Sequence, residues 1–136
     1  MNKKDIVAIE KIITCINELD IVCAGRTDEY FYDGYEMNIL CDLVEEINKN
    51  LNKVNKKVKR KYDKINWDII ESYKEDDGIL KVLKSGKIWC LASGVLSREL
   101  KNDLSDILKI ELPLYYTNYC NRKHEIFIKN KKNDDK

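Results

Sequence analysis

Apolar residues at Leu40, Val44, Ile47, Leu51, Val54 and Val58 recur in steps of three and four, and no other feature constrains the chain as strongly. Those steps hold every side chain on one face of an α-helix, whereas on a strand they would scatter over both faces. The spacing predicts one continuous helix from Tyr35 to Tyr62, roughly 40 Å long and well above the average globular helix. A second stripe, Ile6, Ile9, Ile13, Ile16 and Leu19, predicts a helix over Lys4 to Leu19. Gly25 and the polar run Arg26 to Glu29 close it and reverse the chain. One proline and five glycines interrupt 136 residues, so helix is expected almost throughout. The predicted fold is all-α, an up-and-down bundle of four to six helices whose first two members form a long antiparallel pair.

The remaining segments fit that plan. Asn66 reads as the N-cap of a third helix at Trp67 to Ile70, and Ile79 to Leu83 forms a short piece ended by Ser85-Gly86. Lys87 to Leu96 is the most apolar stretch and belongs to the core or to a dimer interface. Ser97 caps a further helix with Leu100, Leu104, Ile107, Leu108 and Leu112 on its stripe, and Pro113 interrupts it. His124 to Ile128 alternates, as a strand-like edge or an irregular anchor would. Lys129 to Lys136 reads as a disordered charged tail, leaving one helical domain over residues 1–128.

A net charge of +1 exerts no global pull toward nucleic acid or membrane. No apolar run approaches the roughly 20 residues that cross a bilayer, and the N-terminal Met-Asn-Lys-Lys-Asp lacks a signal-peptide core, so a soluble cytoplasmic protein without a membrane partner is expected. The five cysteines are scattered and include no Cys-x-x-Cys, and a single histidine accompanies them. Structural burial is their expected role, with no metal and no cofactor. The acidic Glu71, Asp76 and Asp77 read as a solvated turn in preference to a metal site. Tyr30, Phe31, Tyr32 and Tyr35 read as a lid over the bundle end, with a base-stacking platform as the sharper alternative. Charge is nonetheless uneven. The end of the second helix carries Lys49, Lys53, Lys56, Lys57, Lys59, Arg60, Lys61 and Lys64. Cations near a helix C-terminus are favoured by the macrodipole, which is the plain account of them. Lys53, Lys56, Lys57 and Arg60 are the candidate RNA-phosphate contacts.

Three boxes carry a family likeness: Lys61-Tyr62-Asp63-Lys64-Ile65-Asn66-Trp67 after the long helix, Leu91-Ala92-Ser93-Gly94-Val95-Leu96, and Glu111-Leu112-Pro113 after a last amphipathic run. From Asp5 to Pro113 the chain resembles the HEPN superfamily, specifically its HepT-like ribonuclease-toxin branch. The family has a Lys-Tyr-x-x-Ile-x-Trp box, a short helix with an Arg…His-x-Tyr ribonuclease motif often read Leu-Ala-His-Gly-Tyr-Phe, and an acidic-Leu-Pro close. The likeness implies a homodimer paired near the catalytic helix, here through Ile88, Trp89, Leu91, Ala92 and Val95. It also implies RNA as ligand and a cognate nucleotidyltransferase-type partner in a toxin–antitoxin or phage-defence setting.

The chemistry of the motif is degenerate here. Ser93 stands at the His position, Val95 at the Tyr position, and the Arg position falls among Gly86, Lys87 and Ile88. Metal-independent RNA cleavage needs a base for the 2′-hydroxyl proton and a cation for the phosphorane, roles that His and Arg suit. Serine cannot act as a base unaided, and lysine offers charge without a bidentate fork. The leading expectation is a catalytically inactive relative, a pseudoenzyme that acts by dimerisation and partner or RNA binding. A second reading is an RNA endonuclease in which Lys87, Arg98 or His124, with Arg122 nearby, takes over. A third is a structural helical module with no nucleic-acid role.

Overall fold

Helix α1 (Lys3–Cys23) is the element around which the others gather. The computed structural model describes residues 1–23, 34–73 and 91–134. After α1 come α2 (Gly34–Lys53), the short α3 (Lys56–Lys61), a 3₁₀ turn at Glu71–Tyr73, a π-helix over Leu91–Leu100, and α4 (Lys101–Asp134) continuing directly from it. No strand occurs among the described residues, and the architecture is a helical bundle. Helix α1 packs on α2, on the π-helix and on α4. Ile9, Ile12, Ile16 and Leu19 lose all contact with solvent there. Because it has neighbours on three sides, its buried face is wider than a single stripe. Ile12 is fully enclosed, and Ile13, which the narrower stripe favoured, is only half-buried.

Helix directions follow from a few polar contacts. Asp5 at the start of α1 accepts a hydrogen bond from the Asn55 backbone N–H just past α2, at 2.9 Å. Ten residues along α1, Cys15 lies close enough to Glu46 to feel its charge. The first two helices therefore run antiparallel, as the pattern predicts. At the far end, Asp20 accepts from the Ser97 hydroxyl and lies 3.7 Å from the Lys101 ammonium, while at the near end Glu111 lies 3.7 Å from the Met1 amine. Helix α4 is thus antiparallel to α1 as well, and Met1, Asn55 and Glu111 gather at one end of the bundle.

Several sequence expectations change. The predicted continuous helix breaks at Asn55, although Val54 and Val58 keep the buried phase on both sides. Asn55 is extended (φ −62°, ψ 144°), and its side chain accepts from the Lys57 N–H at 2.8 Å, an N-cap on α3. Its own N–H is taken by Asp5, so the α-helical bond to Leu51 is never made. Trp67 to Ile70 is a series of tight turns leading to the 3₁₀ piece, not an α-helix, and Asn66 accepts from the Asp68 N–H at 3.2 Å within it. Ser97 caps nothing: it lies inside the π-helix, its hydroxyl shared between Asp20 and the Ala92 carbonyl 2.7 Å away. Helix α4 passes through Pro113, whose missing N–H frees the Lys109 carbonyl on an exposed turn where water can take it. The strand-like alternative for His124 to Ile128 gives way to helix, and the backbone stays helical to Asp134. The aromatic cluster at Tyr30, Phe31 and Tyr32, the Gly25 turn, Cys90 and the predicted short helix at Ile79 to Leu83 lie outside the described residues.

The central place of α1 sets an expectation for stability. Ile12→Ala should destabilise the protein by about 2–5 kcal/mol in urea unfolding, while Val7→Ala, on the exposed side of the same helix, should stay within about 0.5 kcal/mol.

Candidate nucleic-acid interface

Helix α3 is a single basic turn and a half, Lys-Lys-Val-Lys-Arg-Lys, hung from the bundle by one apolar side chain, the buried Val58. Its last residue and its C-cap are fixed by a carboxylate from α4. Glu111 is 3% exposed. Its Oε1 accepts from Lys61 Nζ at 2.8 Å and from the Tyr62 hydroxyl at 2.5 Å, and its Oε2 faces the Met1 amine. Burial alone would push the Glu111 carboxyl up. The hydrogen bonds from Lys61 and Tyr62, with the charges of Lys61 and the N-terminal amine, outweigh it and hold the carboxyl below its usual range. Lys61 is raised by its hydrogen bond and charge contact with Glu111. Tyr62 is raised by burial and then by donating to Glu111. Trp67 closes the assembly, buried at 7% exposure with its indole N–H donating to the Tyr62 carbonyl at 3.0 Å.

The other cations are left to solvent. Lys53, Lys56, Lys57 and Arg60 are exposed, as is Lys64, and Lys59 is half-buried. Among the described residues none of the six has a carboxylate within 4.0 Å. The macrodipole account does not extend to all of them. The break at Asn55 makes Lys56 and Lys57 the first residues of α3, the positive end of a helix with no acid in its first turn. Lys56 and Arg60 also stand four residues apart within α3, a repulsive spacing. Beside them a cleft of about 630 Å³ opens between Lys56, Lys59 and Arg60 on one wall and Lys64, Asn66 and the Trp67 ring on the other. Asp63 and Asp68 also border it.

No family model, curated protein or solved structure matches the chain.

The two outer boxes of the HEPN-like pattern touch: Lys61-Tyr62 is bonded to Glu111 of Glu111-Leu112-Pro113. The middle box lies in the π-helix at the opposite end of the bundle. Leu91 and Ala92 are fully buried in the protomer core and Val95 is half-buried against it. The segment's apolar surface is thus already largely used against α1 and α4. Ser93 is on the π-helix, and the Gly94 Cα faces open space. Lys87, Ile88 and Trp89 lie outside the described residues, as do Asp76 and Asp77. Arg98 is exposed near the Asp20 end, whereas His124 and Arg122 are exposed near the Met1 end. About 35 Å of helix separates Lys101 from His124, so the chain does not bring Arg98 and His124 together. No cluster of His, Cys, Asp or Glu able to hold a metal occurs among the described residues. The thiols of Cys15 and Cys41 are pushed up by burial and by neighbouring carboxylates, Glu18 and Asp42 respectively, which makes them poor nucleophiles.

Sequence reasoning placed the lysines but missed the burial of Glu111. The signal was present: Glu111 follows Leu104 and Ile107 at stripe spacing, a position that should be apolar. The ion cluster gives a pH expectation. A carboxyl whose folded pKa is lowered contributes stability above its ordinary value of 4.5, and that contribution disappears as pH falls through the folded value. Glu111→Gln should lower stability at pH 7 by about 1–3 kcal/mol and flatten the loss of stability below pH 4.5, read as urea midpoint against pH.

Proposed function

We propose that this chain is a HEPN-like helical protein that binds RNA through the basic end of its bundle and lacks the family's ribonuclease chemistry. The observation that carries the proposal is the set of unpaired cations on and around α3, held in place by a buried polar anchor. A solvated face needs neither an anchor nor cations at the unfavourable end of a helix. A surface for a phosphate backbone gains from an anchor, because phosphate contacts position the ligand best when the cations are themselves positioned. The contact between the Lys61-Tyr62 and Glu111 boxes supports the HEPN-like scaffold, since it gives both boxes one structural role, that of fixing the last turn of α3 on α4. Ser93 in place of histidine supports the silent reading. A homodimer belongs to the same proposal, and light scattering that gives only 16.0 kDa at micromolar concentration removes it.

Binding of labelled single-stranded RNA, followed by anisotropy over a salt series, tests the reading. Affinity should fall steeply with salt. Replacing Lys53, Lys56, Lys57 and Arg60 together by alanine should reduce the slope of log K against log salt by roughly 3. An unchanged slope would remove α3 as the interface. In EDTA the same RNA should remain uncut. Cleavage that is abolished by His124→Ala would restore the enzymatic alternative.

A further inference from the structure

Beyond Pro113, helix α4 leaves the core: Leu114, Tyr116, Tyr119 and Ile126 are between 43% and 59% exposed. This part of the helix and the chain's first three residues form the walls of a cleft of about 1090 Å³. Its α4 wall carries an aromatic stack. Tyr115 and Tyr119, one helical turn apart, lie with ring centroids 6.4 Å apart and planes 24° from parallel. Tyr116 meets Tyr115 edge-on at 5.6 Å, bracing it from the side. Lys123 places its ammonium 5.5 Å from the Tyr119 centroid. Lys3 from α1 and Arg122 line the same cleft, and Glu125 is the one acidic residue among the described residues of its lining. Lys3, Arg122 and Lys123 have no ion-pair partner among the described residues. Asn118 and Asn121 add side-chain amides, which can both donate to and accept from the edge of a base.

We infer that this cleft is a second RNA site, one that takes unpaired bases by stacking them on Tyr115 and Tyr119. Flat aromatic faces, flanking cations and amides are the chemistry that holds single-stranded nucleic acid, with stacking for the base, charge for the phosphate and hydrogen bonds for the base edge. An apolar protein segment would find three cations to desolvate here and little carboxylate to match them. From Tyr115 to Ile126 the helix presents about 16 Å of surface, room for a few nucleotides. The cleft also adjoins the α3 surface. Met1 lines it, and the Met1 amine and Lys61 share the carboxylate of Glu111. One strand can therefore pass from the phosphate contacts of α3 to the tyrosines. The inference rests on the RNA-binding reading for the class of ligand, but none of the α3 residues lines the cleft.

The experiment compares the intact protein and its variants on a labelled oligoadenylate and on an abasic oligomer of equal length, across a salt series. The wild type should prefer the base-bearing strand by about tenfold or more. Tyr119→Ala should abolish that preference without changing the salt slope, and Tyr119→Phe should keep it. Arg122→Ala with Lys123→Ala should weaken both oligomers alike and reduce the slope. If Tyr119→Ala binds both strands as the wild type does while the α3 variant loses both, the tyrosine site is overturned and the α3 interface stands. The tyrosine site is also overturned if Tyr119→Ala and Tyr119→Phe weaken the two strands equally, since that marks a structural role. If the wild type binds neither strand at any salt, both readings fall together. Circular dichroism of each variant confirms that the helices are intact before the comparison is made.

Discussion

A single buried carboxylate organises one end of this molecule. Glu111 is almost completely removed from water, yet it stays ionised because an ammonium, a phenol and the chain's first amine converge on it. Isolated, such a charge would carry a desolvation penalty of several kcal/mol. With its partners in place it joins three parts of the chain by polar contact: the N-terminus, the end of α3 and the middle of α4. Asp5 does the same at smaller scale, accepting the N–H that frees Asn55 to begin a new helix. These two acids act together with the buried Val58 to fix the pose of α3.

The helical period made much of the fold legible. The apolar buried set in α2 is the stripe read from the sequence, Leu40, Val44, Ile47 and Leu51, with Val54 continuing it just past the helix, while Asn48 and Asn50 are buried beside it. Helix α1 was less legible: neighbours on several sides bury Ile12, which a single-stripe reading passes over. The break at Asn55 could not be seen locally, since the apolar phase runs straight through it. Its cause is Asp5, fifty residues earlier. Pro113 misled in the other direction: the helix continues through it, and on an exposed turn water can take the carbonyl that the proline frees.

The proposed interface was half legible. Charge counting found Lys53, Lys56, Lys57 and Arg60, all of which are exposed. What counting could not supply was the distinction between Lys61, which is spoken for by Glu111, and its neighbours, which are not. The tyrosines of α4 stand out less in the sequence than the denser group at Tyr30 to Tyr35. Tyr115 and Tyr119 are separated by one helical turn, and that spacing stacks rings only if the helix survives Pro113.

The central position of α1 has a further consequence, in the order of events during synthesis. Its isoleucine face emerges from the ribosome first, but one of the partners that cover it, the stretch from Leu91 to Ile107, comes some eighty residues later. At ordinary elongation rates that delay is on the order of ten seconds, far longer than a helix or a helix pair needs to form. Through that interval the nascent chain holds at most α1 against α2, with the far side of α1 still bare to water. Among the described helices the most apolar one thus waits for much of its cover, and a holding chaperone would find its target there.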